Sequence, residues 1–352
     1  MSRRRKTRNR WLFAAINVLL VLLAAVCALL FCYVSGQLNS IHTAKRWKGS
    51  ADLPFAQIAC FLPVDDTKSK EEIEQFRRTL EAKFVEASLS TPNEGSLYID
   101  SYSAEAKLTV SGEHGSTQTN AIGVGGEFFL FHPLTLRSGS YISERDLMQD
   151  RVILDETTAW TLFGSPDVAG QTVFMNAKPY LIAGVIHRED DFASKAAYGD
   201  GAGIFLCYDA FHELTGQGIT TYEIVLPNVV SGFGLSLVKD NFHVGTGDVI
   251  ENSLRYSVKN LLTVIGSFGY RSMRNNGVIY PYWENAVRLT EDWLGLLMAL
   301  MILLLLCPVL SLAVTCIVLL VKLVRYLSEV IPDAAENVIE NRRIRKWKAR
   351  HK

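Results

Sequence analysis

The sequence predicts an α+β protein carried on two transmembrane helices, and three features of the chain lead to that fold class. Two apolar blocks, Trp11–Val34 and Trp293–Val321, contain no Asp, Glu, Lys or Arg. Basic residues gather at the two chain ends, while the segment between the blocks is acidic. That segment alternates strand-like and helix-like patterns.

Each block exceeds the roughly 20 residues needed to cross a hydrocarbon core about 30 Å thick. A soluble core helix would break such a run with a polar stripe. Residues 1–10 carry six Lys/Arg and no acid, and 322–352 carry nine Lys/Arg against four acids. That leaves 21 basic and 32 acidic residues in 36–292. Basic flanks mark the cytoplasmic side of a span. The expected organisation is a basic cytoplasmic N-terminus (1–10), a first span (11–35), an extracytoplasmic core domain (36–292), a second span (293–321) and a cytoplasmic tail (322–352), all in the cell membrane. Lys45, Arg46 and Lys48 oppose this orientation and are outweighed by the Arg-rich start. A cleaved signal peptide fits the basic start, but the apolar run is longer than an h-region of about 7–15 residues. No small-x-small cleavage site follows. Val26 and Phe31, before Cys27 and Cys32, argue against a lipoprotein signal.

Residues 36–50 read as a connector continuing the first helix outward. Pro54–Phe61 reads as a strand, and Lys68–Ser88 as an amphipathic helix with Ile73, Phe76, Leu80, Phe84 and Ala87 on one face. Pro92–Gly95 is a turn, Ser96–Tyr102 a strand, and the three elements form a β-α-β unit. Lys107–Val110 and Thr119–Val124 are further strands. A β-rich subdomain is expected at about 126–200, inserted between two β-α-β-like halves. It has a strand at Arg151–Leu154, a helix at Thr157–Phe163 ending at Gly164, and a hairpin of Thr172–Met175 with Tyr180–Val185. Arg188–Gly203 reads as a mobile loop. Strands at Ile204–Tyr208, Thr221–Leu226 and Gly247–Glu251, with a helix over Val229–Phe242, make the second half. Tyr280, Tyr282 and Trp283 precede the second span, where aromatics favour the bilayer interface. Pro308 removes a hydrogen bond within that span. Its 29 residues extend about 43 Å at about 1.5 Å each, so the helix must tilt, kink or project. The tail after Pro332 reads as a helix.

Catalytic constellations are lacking. No GxxxxGK[ST] phosphate loop and no GxSxG elbow occurs. Gly123–Gly126 reads as a tight turn. Ser236 and Lys239 match a bare SxxK without its partner motifs. The histidines are scattered, and Glu189, Asp190 and Asp191 lack EF-hand spacing. Neither a catalytic, cofactor nor metal site is therefore assigned, and no enzyme activity is expected. The basic stretch Arg342–Lys352, beside a span, suits anionic headgroups rather than nucleic acid. Neither span holds an ionisable group of the kind ion pathways use. Cys60 and Cys207, outside the spans, fit either a disulfide or, more simply, two buried thiols.

The stretch Leu136–Val185 resembles the core domain of macrolide-exporter-type (MacB/FtsX-like) ABC transporter permeases. The residues that carry the resemblance are Arg137-Ser-Gly139 with Ile142-Ser-Glu144, then Val152-Ile-Leu154, Ala159 to Leu162-Phe163-Gly164, Val168-Ala-Gly170-Gln171 and Tyr180-Leu-Ile-Ala-Gly184-Val185. The resemblance implies a MacB-like extracytoplasmic core domain and a non-catalytic permease-like subunit of an ABC-type transporter or mechanotransmission complex. Its implied partners are a cytoplasmic ABC ATPase and a fuller permease. Permeases of that family carry three spans after the core domain, and a loop between two of them docks on the ATPase. One span and a short tail here imply a reduced subunit relying on that fuller partner. The alternative is a stand-alone membrane-anchored scaffold or sensor of the cell envelope. A membrane-bound hydrolase ranks last, for want of a nucleophile constellation.

Overall fold

In the computed structural model, both apolar blocks lie within helices and the residues between them build a sheet covered by shorter helices. The described residues are 2–49, 53–89, 96–198, 202–268, 271, 274–275 and 277–350. The expected turn at 92–95 lies outside them.

Helix α1 runs Ser2–Ser35. It stops there because the Gly36 and Gln37 amides bond back to the Tyr33 and Val34 carbonyls. A 3-10 turn, Ser40–His42, and a short α2, Thr43–Lys48, follow. The connector therefore folds on its own and does not prolong α1, contrary to the sequence reading. After β1 (Phe55–Phe61), helix α3 (Lys70–Glu86) starts with a capping box between Ser69 and Glu72. It buries Ile73, Phe76, Leu80 and Phe84 as their spacing requires, and Ala87 stays exposed. Strands β2 (Ile99–Gly112) and β3 (Gly115–Gly126) pair without a break from Ser101↔Gly126 to Gly112↔Gly115. The two strands read separately over 96–110 are thus one. The small residues Ala104 and Ala106 had hidden its continuity.

The chain continues through α4 (Phe128–Phe131), β4 (Leu136–Gly139), β5 (Arg151–Asp155), α5 (Glu156–Phe163), β6 (Thr172–Met175), β7 (Lys178–Ile186) and α6 (Phe192–Ala197). Helix α6 stands where a mobile loop was expected. Asp191 caps it, accepting from the Ala193 and Ser194 amides at 3.0 Å each. Next come β8 (Ala202–Cys207), α7 (Tyr208–Thr215), β9 (Thr221–Pro227), α8 (Phe233–Asn241), β10 (Asp248–Glu251), a 3-10 turn (Asn252–Leu254) and α9 (Val258–Gly266). A two-residue hairpin, β11 (Arg274–Asn275) with β12 (Val278–Ile279), leads to α10 (Tyr282–Arg350). Helix α10 runs unbroken through Pro308 and Pro332.

The strand order is β10-β1-β9-β2-β3-β8-β5-β7-β4. Strand β9 is antiparallel to both β1 and β2, and β1 is antiparallel to both β9 and β10. The halves β1-α3-β2 and β9-α8-β10 are therefore each split by a strand of the other. The inserted strands β4–β7 extend the same sheet, joined through β8, which pairs parallel to β3 and antiparallel to β5. Strand β6 pairs with β7 and, at Ser111↔Phe174, with β2. The circuit β2-β3-β8-β5-β7-β6 thereby closes on itself. Along β5, Val152 and Leu154 join the main core while Ile153 joins a second cluster. Strand β8 divides Ile204 and Leu206 from Phe205 in the same way. Burial on both faces explains why both strands read as unbroken apolar runs.

The Ile142-Ser-Glu144 motif acts as a latch. Glu144 accepts from the Tyr102 hydroxyl and from the Gly126 amide, both at 2.7 Å. It also lies 3.7 Å from Arg77 and 3.6 Å from Lys70 of α3. Arg77 in turn grips Asp100 of β2 with two bonds, at 2.8 and 3.0 Å. One carboxylate thus ties the inserted segment to the first half. Burial pushes the Glu144 carboxyl up, but the Tyr102 and Gly126 donors with Arg77 and Lys70 outweigh it and hold it below its ordinary 4.5. The stabilisation is therefore complete above that ordinary value and fades as pH falls through the lower folded value. Glu144→Ala is expected to destabilise the fold by about 1.5–3 kcal/mol at neutral pH. Equilibrium unfolding measured from pH 7 to pH 3 should show a shallower loss for the variant than for the parent.

The two ends of the chain, to Phe31 and from Leu297, form a compact unit distinct from Cys32–Leu296. Within it the Ser311 hydroxyl donates to the Asn17 side-chain oxygen at 3.1 Å. Hydrogen bonds of this kind hold helices together where no hydrophobic drive exists between them.

Candidate functional site

The candidate functional features are the places where the sheet grips the segments that lead into the two apolar helices. Two such grips are built into Cys32–Leu296. The first centres on Gln57, a fully buried amide on β1. Its oxygen accepts from the Thr43 and Ala44 amides at 3.0 and 3.4 Å, and its nitrogen donates to the Ser40 carbonyl at 2.6 Å. The backbone amide of Gln57 donates to Ser253 Oγ at 2.7 Å. Arg46 donates to the Asn39 carbonyl at 2.5 Å and to the Leu130 carbonyl at 2.8 Å. The connector after α1 is thus stitched to β1 and to α4, and β1 in turn to the 3-10 turn after β10.

The second grip centres on Arg255, just after that turn, with its guanidinium 3% exposed. It donates to both oxygens of Glu284, at 2.7 and 2.6 Å, and to those of Glu291, at 2.9 and 3.3 Å. Both acids are buried and lie two turns apart on one face of α10. Arg288 adds a bond to Glu284 at 2.8 Å, Arg271 reaches Asp292 at 2.6 Å and also pairs with Glu291, and Asn260 donates to Glu291 at 3.1 Å. Each buried charge therefore has opposite charges and hydrogen bonds around it, as burial demands. Beside the cluster, Leu38 and Ile41 of the connector pack with Ala193 of α6 and with Ala286 and Val287 of α10. The segment leaving α1 and the start of α10 thus share one small core.

Tyr280, Tyr282 and Trp283 complete the grip, and here the sequence expectation is corrected. All three are buried within the domain, not held at a bilayer surface. Trp283 packs edge-on against Phe128 at 5.5 Å and lies 4.6 Å from His132, which bonds Glu223 of β9 at 2.5 Å. Tyr282 stacks on Tyr198 at 4.3 Å, and Tyr280 meets Phe61 at 5.3 Å. The reason is that α10 begins inside the domain, well before its charge-free stretch.

The other singled-out residues fall elsewhere. Gly123–Gly126 lies in β3, not in a tight turn. A Cβ at Gly123 would stand 2.4 Å from the Phe211 ring and one at Gly125 2.1 Å from the Tyr102 ring, and only Gly126 has a left-handed φ. These glycines let aromatic rings lie on the strand. Ser236 and Lys239 sit exposed on α8. Asp191 caps α6, Glu189 neighbours Tyr198 at 3.4 Å, and Asp190 is exposed. Among the described residues no group of side chains is arranged to hold a metal. Cys60 and Cys207 are free, buried thiols in different clusters.

Sequence reasoning missed Arg255, Gln57 and Asn17. One signal was available: Glu284 and Glu291, a helical repeat apart, immediately before a charge-free run. Arg255→Ala would leave two carboxylates buried with only their outer partners, and should destabilise Cys32–Leu296 by about 3–5 kcal/mol. Arg271→Ala, at a more exposed position, should cost less than half as much. Denaturant unfolding of the full chain in detergent, followed by tryptophan fluorescence, measures both.

Residues 68–232 match the family of MacB-like periplasmic core domains. The stretch singled out from sequence, 136–185, falls inside this range. Over 81 residues the chain is 31% identical to the macrolide export ATP-binding/permease protein MacB of Aggregatibacter actinomycetemcomitans. That alignment covers 22% of this chain and 13% of the relative, so only a small part of the relative's length is matched. Among solved structures, the periplasmic region of MacB from Actinobacillus actinomycetemcomitans aligns with a TM-score of 0.40 and 16% identity, covering 61% of this chain and 94% of that one. The extracellular domain of the noncanonic ABC-type transporter YknZ from Gram-positive bacteria aligns with a TM-score of 0.37 and 13% identity, covering 56% and 99%. The chain thus carries a MacB-like periplasmic core domain, flanked in sequence by two apolar helices of membrane-spanning length.

Proposed function

We propose that this chain is a non-catalytic, permease-like subunit of an ABC-type membrane complex, working with a separate cytoplasmic ATPase and a fuller permease. The observation that supports this reading is the pair of grips. Gln57 fastens the segment after α1 to β1, and Arg255 fastens the start of α10 to the turn that follows β10, the strand paired with β1. A shift of either segment is then passed to the sheet, since a packed, fully bonded junction yields as a unit. In this reading both termini are cytoplasmic, the core domain is extracytoplasmic, and the tail 323–352 is the main cytoplasmic contact.

Two experiments test it. On a background without native cysteines, Ser116→Cys near the β2–β3 turn should react with an impermeant maleimide in intact cells, and Ser328→Cys should not. The reverse pattern inverts the topology. Purification in mild detergent should retain an ATP-binding cassette protein and a longer permease. Deletion after Ser328, which keeps Lys322 and Arg325 to hold orientation, should release them. If assembly and function survive that deletion, coupling through the tail is wrong and the anchored scaffold or sensor becomes the better reading.

A further inference from the structure

The junction has an apolar outer rim that the coupling role does not use. The charges in the first turns of α10 end at Asp292, and the uncharged run 293–321 begins at Trp293. Two residues from other parts of the domain lie against that boundary. Phe192, the first residue of α6, is 65% exposed and meets the Trp293 ring edge-on at 5.6 Å. Phe268, just beyond α9, is exposed and comes so close to Gly295 that a Cβ there would stand 3.3 Å from its ring; Ile265 and Val264 of α9 would lie 3.5 and 3.6 Å away. Leu262, one turn before Ile265, is 50% exposed, and Val258 stands exposed one turn further back. Lys259, beside Val258, is also exposed. The Arg271–Asp292 pair at 2.6 Å sits at the same boundary.

An aromatic pair and a helical apolar stripe left in water would be costly on a monomer's surface. Their place supplies the occupant. Phe192 and Phe268 lie beside residues 293–295, where the membrane-spanning run starts, so a bilayer that takes up that run reaches them too. Aromatic rings favour this headgroup level, and an amphipathic helix such as α9 buries its apolar side there while a lysine reaches out to the headgroups. We propose that Phe192, Leu262 and Phe268 form a rim by which the core domain seats in the headgroup layer of the bilayer. The domain is then held by lipid as well as by its two chain connections, and its tilt is restrained at the level of the grips.

Hydroxyl-radical footprinting of the unmodified chain in phosphatidylcholine nanodiscs tests this without a mutation. After correction for intrinsic reactivity, Phe192 and Phe268 should oxidise several-fold more slowly than Trp160, which is 53% exposed away from the rim. Equal oxidation overturns the proposal. A cover made of protein is distinguished by spin labels at Phe192→Cys and Leu262→Cys in the same nanodiscs. Seating in lipid gives oxygen collisions exceeding those with a water-soluble nickel chelate, and the fully exposed Leu147→Cys gives the opposite ratio. Labels shielded from both reagents mean that a second copy of the chain covers the rim, and the lipid assignment falls. The readout does not depend on the ATPase partnership, so the rim and the proposed function can fail separately.

Discussion

A buried arginine between two buried glutamates sets the terms for the rest of this molecule. Taking three charges out of water is tolerable only with tight geometry and full hydrogen bonding. Arg255 meets that demand with four bonds to Glu284 and Glu291, three of them at 2.9 Å or less. An apolar contact could slide by an ångström at little cost. A bidentate ion cluster cannot, because each displacement uncovers a desolvated charge. The start of α10 is therefore fixed in register and rotation against the turn after β10. The aromatic packing of Trp283, Tyr282 and Tyr280 depends on that register.

The same logic recurs at the latch. Glu144 belongs to the inserted segment, yet its partners lie on α3, β2 and β3. The insertion thus adds more than strands to a sheet edge. Closure of β2-β3-β8-β5-β7-β6 and the Glu144 network together make the inserted strands share the stability of the two halves. A resemblance first carried by short sequence motifs acquires physical content here. Gly139 and Gly184 face each other across β4 and β7, where a Cβ on Gly139 would stand 2.0 Å from the Ala183 carbonyl oxygen. Gly164 ends α5 in the left-handed conformation.

Much of the fold was legible in the chain because its signals are local. The charge-free blocks, the Ile73/Phe76/Leu80/Phe84 stripe and the Phe163-Gly164 stop each act within a few residues. What escaped was set by distant partners. The connector after α1 folds back because Gln57, fourteen residues on from Thr43, claims its amides. Helix α6 was hidden in a polar stretch because it is short and its one strong signal, the Asp191 cap, sat in an acidic run. Tyr280, Tyr282 and Trp283 look like a membrane belt when only their distance to the span is considered. Their burial follows from rings on α4, β1 and the Tyr198 region. Arg255 stands alone in sequence, and only the fold supplies its acids.

The interleaving of β1-α3-β2 with β9-α8-β10 leaves the first and last strands of the large sheet side by side. A domain whose entrance and exit are adjacent makes no demand on the span between its ends. It behaves as a cassette that can be inserted into, or removed from, the chain between two helices. The helices and the cassette are then free to diverge at different rates in descent, with the bonds at Gln57 and Arg255 as the part that must change in concert. For protein engineering, the same adjacency makes this core a graft that other two-helix anchors can receive at a single site.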